Sequence, residues 1–324
     1  MIKSLNIQNF KSIKHLHLDC KKINIFIGKP NTGKSNLLES VGIFSFSPPN
    51  WNLRDYVRFE NMTNLFYDQD LDEKIEIIAD NVINCEIQFR SGTFIGSCGD
   101  REKKIFHFNF SLGYDGSGNP HNFQGASPFK FYKFEVIHNF SRHEPLSLLS
   151  PRGENLLSIL QTNKALRKVV ADIFSEYGLR IVFKPQEGKI ETQKEIEDVI
   201  ISYPYSLVSD TLQRIVFHLA AIETNKDSII IFEEPEAHAF PYYTKFLAER
   251  IALDKTNQYF ISTHNPYFLL SVLEKTPKDD IGIFITYFED YQTKVRTLNE
   301  EEMTEVLDLD TDIFFNLDRF TEKE

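Results

Sequence analysis

The sequence predicts an α/β fold in which helices flank a mainly parallel central sheet and a β-rich and helical lobe is inserted. Strand patterns over Ser228–Phe232 and Gln258–Ser262 alternate with helix patterns over Thr211–Thr224 and Tyr242–Leu253. Strands and helices that alternate in this way form a parallel sheet that is covered on both faces. A third apolar run, Lys22–Ile27, precedes another helix pattern and supports the same fold.

The first 28 residues are interpreted as two strands. Leu5, Ile7 and Phe10 are interleaved with polar neighbours in the first, and Lys22–Ile27 forms the second. The helix pattern that begins at Lys34 ends before a pair of prolines.

The middle of the chain has a different texture. Short aromatic-rich strand patterns and polar turns extend from about Trp51 to Tyr132, and Gly113–Pro120 is typical of a turn. Leu156–Phe174 has a helical period, and Ile181–Gly188 resembles a hairpin. These segments predict a β-rich lobe followed by a helical one.

The length of 324 residues suits one large or two modest domains, and 41% hydrophobic residues can supply a core. We predict a discontinuous core at residues 1–50 and 203–324. The inserted lobe then occupies residues 51–202, and part of it can belong to the core.

The formal net charge is −11, which argues against a surface covered in nucleic-acid contacts, because phosphates require Lys and Arg. A local basic groove stays open as an alternative.

Three cysteines, Cys20, Cys85 and Cys98, occur without a C-x-x-C pair, so we expect neither a disulfide framework nor a zinc site. No segment approaches the roughly 18 apolar residues needed to span a bilayer, and the first residues do not resemble a signal peptide. We therefore expect a cytoplasmic protein without a membrane partner.

A glycine-rich turn, GKPNTGKS, follows the strand over Lys22–Ile27 and fits the pattern G-x-x-x-x-G-K-[ST]. Its glycines allow backbone N–H groups to line an anion nest, and the dipole of the following helix favours phosphate. The lysine supplies a charge for the β and γ phosphates, and Ser35 supplies a hydroxyl for Mg²⁺. The pattern predicts a nucleoside triphosphate site. The residues predicted to contact the nucleotide are Gly28, Lys29, Pro30, Asn31, Thr32, Gly33, Lys34, Ser35 and Asn36.

A second signal is IIIFEEPEAH, in which a buried strand ends in two adjacent carboxylates. Open α/β sheets bind ligands at the carboxyl ends of their strands. We assign Glu233 to Mg²⁺ and Glu234 to the water that attacks the γ phosphate. The alternative is that both acids merely stabilise the start of a helix.

A third strand pattern ends in STHNP. A histidine at this position can hydrogen-bond a phosphate oxygen or the attacking water, so His264 is a catalytic candidate. A purely structural histidine is the alternative.

Ser209 lies just before the helix pattern over Thr211–Thr224, and Asp210 with Gln213 suggests a capping box. This helix start could bind a phosphate or could simply be capped.

The order of these elements resembles the ABC-type ATPase superfamily. FIGKPNTGKSNLLES, the helix led by Ser209, IFEEPEAHAFP and STHNP resemble the prokaryotic RecF- and OLD-like AAA ATPases. The opening IKSLNIQNFKSIK and the segment LSPRGENL are similar to the same group.

The resemblance implies the P-loop fold of ABC-type ATPases, ATP and Mg²⁺ as ligands, and hydrolysis of ATP. Gly28–Ser35 would be the Walker A loop, Glu233 and Glu234 the Walker B acids, and His264 the switch residue. Ser209 would contact the γ phosphate bound to a partner protomer, so a homodimer or higher assembly would enclose the nucleotide.

Only 60 residues (324 − 264) follow His264, which is too few for the TOPRIM nuclease domain of full OLD-type enzymes. The resemblance therefore suggests a switch subunit that controls a separate effector, such as a nuclease or toxin, in antiphage defence. A RecF-like repair ATPase that binds DNA is the alternative.

A GTPase is disfavoured because Thr224–Asp227 lacks the N-K-x-D spacing, and a transporter ATPase fits the opening strands less well.

Overall fold

The computed structural model describes residues 1–46, 52–102, 105–141 and 146–321. They form a six-stranded sheet, a seven-stranded sheet and a three-stranded sheet, together with seven α-helices in the described ranges. The strands are β1 (Ser4–Phe10), β2 (Ile13–Asp19), β3 (Ile23–Gly28), β4 (Ile75–Ala79), β5 (Ile83–Arg90), β6 (Thr93–Asp100), β7 (Phe106–Leu112), β8 (Gly118–Gly125), β9 (Phe129–Tyr132), β10 (Arg180–Lys184), β11 (Lys189–Ile196), β12 (Val199–Pro204), β13 (Ile229–Glu233), β14 (Gln258–Ser262), β15 (Ile281–Glu289) and β16 (Gln292–Thr297). The helices are α1 (Lys34–Gly42), α2 (Leu156–Thr162), α3 (Lys164–Ser175), α4 (Asp210–Thr224), α5 (Pro241–Leu253), α6 (Pro266–Lys275) and α7 (Glu300–Leu309).

The six-stranded sheet is the centre of the fold, with the strand order β16-β15-β3-β14-β13-β9. All neighbouring strands are parallel except β16, which pairs antiparallel with β15. The mainly parallel sheet that the sequence predicted is therefore confirmed. Strands β3, β13 and β14 are apolar along most of their length because both sheet faces are covered.

Alternate side chains of the central sheet enter two separate cores. Ile230 and Phe232 of β13 pack with helices α2 to α6, whereas Ile229 and Ile231 pack with α1 and the seven-stranded sheet. This alternation follows from the two-residue period of a strand. It also determines which way the polar residues at the strand ends point.

The seven-stranded sheet is antiparallel and has the order β2-β1-β4-β5-β6-β7-β8. Strand β1 pairs with both β2 and β4, so the aromatic-rich middle of the chain extends a sheet that begins at the first strand. The boundary between the core and the lobe at residues 51–202 stays a prediction, but part of that lobe shares sheets with the core through β4–β9.

Two local expectations need correction. The first 28 residues contain three strands instead of two, because β2 also forms, with Ile13, Leu16 and Leu18 buried. The single helix expected over Leu156–Phe174 is divided into α2 and α3 at Asn163, whose side chain caps α3 by accepting from the N–H of Leu166 at 3.0 Å.

The cysteine expectation was also wrong for one pair. Cys85 and Cys98 are directly opposite on β5 and β6, and the structure joins them in a disulfide with a Cα–Cα distance of 4.0 Å. The register of the β5–β6 hairpin brings the two cysteines together, and their spacing in the sequence is not one that is typical of disulfides. Cys20 is a buried free thiol.

The hairpin expected near Ile181–Gly188 is confirmed by β10 and β11, to which β12 adds a third antiparallel strand. Among the described helices, none combines the length and the apolar character needed to cross a membrane.

Candidate nucleotide-binding site

Three predicted segments meet at one edge of the central sheet. Strand β14 lies between β3 and β13, and all three are parallel, so their carboxyl ends share this edge. The glycine-rich loop follows β3, the two acids lie at the end of β13, and His264 follows β14. Helix α1 packs against both β13 and β14 and fixes the loop relative to the other two segments.

The loop between β3 and α1 has the backbone of an anion nest. Gly28, Asn31 and Gly33 have positive φ angles of 155°, 62° and 95°. A Cβ on Gly28 would lie 2.3 Å from the hydroxyl oxygen of Thr286, and one on Gly33 would lie 1.9 Å from that of Thr293. Both glycines are therefore required by the loop conformation and by the adjacent strands.

Lys34 is buried at the first position of α1, and its charge has backbone partners inside the loop. Its Nζ donates to the carbonyl oxygens of Gly28 and Lys29, both at 2.8 Å. Burial lowers its pKa to about 8, although the nearby carboxylates of Glu234 and Glu233 oppose this shift. The ammonium group therefore sits where a phosphate oxygen could replace a carbonyl as its partner.

Other loop side chains make contacts within the chain. The Thr32 hydroxyl donates to the carbonyl of Lys29 at 2.8 Å, which tightens the loop. The Lys29 ammonium lies 2.6 Å from Asp318, and the Asn36 amide donates to the Ser12 hydroxyl at 2.7 Å. Pro30 and Asn31 are exposed at the outer side of the loop.

The two acids at the end of β13 point to different sides. Glu233 is on the face of Ile231, toward α1, and its Oε1 lies 3.7 Å from the Arg58 guanidinium. Glu234 has a φ of 45°, and its N–H donates to the carbonyl of Ser262 at 3.0 Å. The chain turns sharply here, so the two adjacent acids contact different residues: Glu233 lies near Arg58, and Glu234 lies near His264.

Glu234 and His264 form a pair across the ends of β13 and β14. The Nε2 of His264 lies 3.4 Å from Oε1 of Glu234, and both side chains are partly exposed. Burial lowers the pKa of His264, the Lys34 charge lowers it further, and Glu234 raises it. The neutral imidazole is therefore favoured near pH 7, so it can either donate or accept a hydrogen bond.

Ser35 and Glu233 offer the donor set that suits Mg²⁺. A hydroxyl at the start of α1 and a carboxylate on the α1 face of β13 are hard oxygen ligands. Mg²⁺ bound with a nucleotide commonly takes one or two protein ligands together with phosphate oxygens and water. The described residues contain no cluster of three or more acidic, histidine or cysteine ligands, so the nucleotide itself would complete this site.

A buried charged cluster lies next to Glu233 and was not predicted from the sequence. The side chain of Glu39 on α1 has 0% exposure and accepts from the ammonium of Lys11 and from Nε of Arg58. Burial lowers the pKa of Lys11, and Glu39 opposes that shift. Helical spacing could have indicated that Glu39 lies near the site, because it is four residues after Ser35 and so lies on the same face of α1.

Lys133 is a second missed residue. Strand β9 runs parallel to β13 with Tyr132 opposite Phe232, which places Lys133 level with Glu233. Burial lowers the pKa of Lys133, while the charges of Glu39 and Glu233 raise it. This electrostatic interaction joins residues about 100 positions apart, and no sequence pattern indicated it.

Ser209 is the exposed N-cap of α4, and its hydroxyl accepts from the N–H of Leu212 at 3.3 Å. Asp210 was predicted as the cap with Gln213, and that prediction is wrong. Asp210 pairs with Arg214 at 2.6 Å, and the Gln213 amide donates to loop carbonyls. The next hydroxyl, that of Thr211, donates to the carbonyl of His238 at 2.8 Å and links α4 to the segment after β13.

Comparison with known proteins finds one family and two curated relatives that match part of the chain. Residues 1–111 match the AAA ATPase domain family. The chain is 36% identical over 103 residues to an ATP/GTP phosphatase of Helicobacter pylori, covering 28% of each protein. It is 40% identical over 68 residues to the DNA replication and repair protein RecF of Clostridioides difficile, covering 20% of this chain and 18% of RecF. The chain thus spans less than a third of the length of these curated relatives.

The fold matches a solved structure of an SMC head bound to the C-winged helix domain of ScpA. The TM-score is 0.55 at 13% identity, over 94% of this chain and 99% of that one. At this identity the match shows the fold alone, which is that of an SMC head. The match over residues 1–111 includes the glycine-rich loop and α1, so the chain is similar to the AAA ATPase domain family in the segment that would bind a nucleotide.

Proposed function

We propose that this protein binds Mg-ATP and hydrolyses it, and that the ATP-bound state is a switch. The observation that carries the proposal is the meeting of Lys34, Glu234 and His264 at one sheet edge. The loop and Lys34 supply phosphate contacts, and the 3.4 Å pair of Glu234 and His264 supplies groups for a water molecule.

Each residue has a distinct role in the proposed reaction. The N–H groups of the loop and the start of α1 hold the β and γ phosphates, and Lys34 exchanges its carbonyl partners for phosphate oxygens. Glu234 orients the attacking water and accepts its proton, and His264 donates to the γ phosphate or to that water. Mg²⁺, held by Ser35 and Glu233, would supply charge neutralisation on the transferred phosphate.

Replacing Glu234 by glutamine tests hydrolysis. We expect Glu234→Gln to bind ATP but to lose about 10²- to 10⁴-fold in turnover, the usual contribution of a general base. Glu274→Gln removes an exposed acid on α6 and is the matched control, while Lys34→Met should lose ATP binding. Equal turnover of ATP by Glu234→Gln and wild type would show that Glu234 is not the general base.

We further propose that two protomers enclose ATP, with Ser209 of one protomer reaching the nucleotide of the other. The exposed position of Ser209 at the start of α4 supports this role. The solution mass of Glu234→Gln should rise from one protomer to two on addition of Mg-ATP, and Ser209→Arg should prevent the rise. Ser111→Arg, at an exposed residue of β7 in the seven-stranded sheet, controls for the added charge and bulk. An unchanged mass with bound ATP would contradict the enclosed dimer.

The assembled state is proposed to control a separate effector, such as a nuclease or toxin, in antiphage defence. This part rests on the resemblance to RecF- and OLD-like ATPases and not on a contact in the chain. A RecF-like role in DNA binding is the second candidate, supported by the RecF relative and opposed by the net charge of −11. DNA affinity that increases with ATP and falls steeply with salt would favour that second candidate.

A further inference from the structure

A third acid follows Glu233 and Glu234, and neither the sequence pattern nor the proposed reaction uses it. The EEPEAH turn, residues 233–238, leaves β13 and folds back on itself. The N–H of Ala237 donates to the carbonyl of Glu234 at 2.9 Å, and His238 has a φ of 60°. This compact turn directs Glu236 into the protein, where it is only 4% exposed.

Glu236 is bonded to the residue that precedes His264. The hydroxyl of Thr263, which is fully buried, donates to Oε1 of Glu236 at 2.5 Å. The same hydroxyl oxygen accepts from the N–H of Asn265 at 3.0 Å. The backbone on both sides of His264 is thus linked to one buried carboxyl group.

A second link holds the same two segments together. The N–H of Glu234 donates to the carbonyl of Ser262 at 3.0 Å, one residue before Thr263. The EEPEAH turn therefore binds two adjacent residues at the end of β14. Its backbone bonds to Ser262, and the side chain of Glu236 bonds to Thr263. The Glu234–His264 pair is formed by residues next to these links and is partly exposed, whereas Glu236 and Thr263 are buried.

The other oxygen of Glu236 has no partner in the described part of the chain. Oε2 is buried and lacks a hydrogen bond among these residues. A buried polar atom without a partner costs roughly 1–3 kcal/mol, and an apolar side chain would avoid that cost. Burial raises the pKa of Glu236 to about 7, and the charge of Glu234 also raises it, while the Thr263 hydroxyl and the backbone N–H groups of Glu236 and His264 lower it. A costly group in contact with the catalytic segment indicates a role beyond filling space.

We propose that Glu236 is a positioning residue that holds His264 against Glu234 through the Thr263 hydroxyl, and so raises the rate of ATP hydrolysis. This inference rests on the proposed function. Glu236 does not touch the nucleotide in this scheme; it acts only through Thr263 and the backbone of His264. Its removal should therefore change turnover and leave ATP binding intact.

The test is a set of four proteins: wild type, Glu236→Ala, His264→Ala and the double variant. We expect Glu236→Ala to lower kcat by about 10- to 100-fold, since small misplacements of catalytic groups have effects of this size. KM for ATP and ATP affinity should stay within about twofold of wild type, as expected when a group acts only in the transition state. In the His264→Ala background, removal of Glu236 should cause no further loss, because its effect passes through the missing imidazole.

Two conservative variants separate positioning from general loss of packing. Glu236→Gln keeps an oxygen that accepts from Thr263 and should retain most of the wild-type kcat. Thr263→Val removes the hydroxyl at similar volume and should match Glu236→Ala in kcat. These two variants also keep the test informative if the cavity left by Glu236→Ala prevents folding.

Equal losses from Glu236→Ala with and without His264 would overturn the inference, as would a fully active Thr263→Val. Either result leaves ATP hydrolysis by Glu234 in place. If instead Glu234→Gln turns over ATP as fast as wild type, the proposed function fails and the inference fails with it. The two failures are therefore distinguishable in the same assay.

Discussion

The buried carboxyl of Glu236 should make folding stability depend on pH, and its amide variant should remove that dependence. The pKa is raised from 4.5 to about 7 in the folded chain, mainly by burial. The difference of about 2.5 between these two pKa values corresponds to about 3 kcal/mol, because a difference of 1 in pKa is worth about 1.36 kcal/mol. Because the side chain is only 4% exposed, solvent screens this energy little.

The sign follows from proton binding. A raised folded pKa means that the folded chain holds the proton more tightly than the unfolded chain does. The stabilisation is therefore complete below about pH 4.5 and is lost as the pH rises to about 7. Glu236→Gln has no proton to lose, so its stability relative to wild type should increase by about 2–3 kcal/mol between pH 5 and pH 8.

The assay is urea unfolding followed by circular dichroism at pH 5, 6, 7 and 8 for both proteins. Other titrating groups are common to the pair and cancel in the difference between them. Glu274→Gln, at an exposed acid, should keep a constant difference from wild type over the same range. A constant difference for Glu236→Gln would refute the argument, because it would show that Glu236 is ionised and well solvated throughout.

Two further predictions concern the phosphate loop and its support. Glu39→Gln should lower the free energy of unfolding by about 3 kcal/mol in the same urea assay, because Lys11 and Arg58 would then share a buried neutral partner. A decrease in the free energy of unfolding no larger than that of Glu274→Gln would contradict this prediction. Gly33→Ala should weaken ATP binding by about tenfold or more, because displacing one N–H group forfeits a charged hydrogen bond of about 1.5–3 kcal/mol. Its Cβ would meet the Thr293 side chain, whereas Gly92 has φ +82° and nothing within 4 Å. Gly92→Ala therefore controls for backbone strain, and an equal affinity in the two titrations would oppose the steric argument.

The parts of the fold that the sequence predicted well are those fixed by short stretches of chain. The strand before the glycine-rich loop, the loop and α1 are contiguous, so one pattern specifies their order and their geometry. The ends of β13 and β14 follow the same logic, because each apolar run stops at polar residues. Parallel pairing then places those ends at one edge without any further information.

The missed features depend on pairings between distant residues. Glu39 meets Arg58 across 19 positions and Lys11 across 28, and a composition or period does not encode such contacts. Cys85 and Cys98 become neighbours only when β5 and β6 pair in one register. A shift of that register by one residue would place the two sulfurs on opposite faces.

The middle of the chain was described as an insertion because its texture differs from the alternating strands and helices around it. The difference is physical: antiparallel strands with one buried face alternate, whereas buried parallel strands are apolar throughout. The hydrophobic pattern therefore indicates whether a strand belongs to a parallel or an antiparallel sheet, but it does not indicate which strands are its neighbours. Strand β4 has an alternating pattern and still pairs with β1, near the start of the chain.

The EEPEAH turn shows how one short stretch can serve three neighbouring elements. Strand alternation directs Glu233 toward α1, the positive φ of Glu234 redirects the chain toward His264, and the turn then sends Glu236 inward to Thr263. Each acid reaches its surroundings because β13 lies between β9 and β14. The three acids therefore face three different parts of the fold, although they lie within four consecutive residues. Glu236 reaches Thr263 inside the protein, and Glu234 reaches His264 at a partly exposed position, so this one turn contacts two consecutive residues after β14.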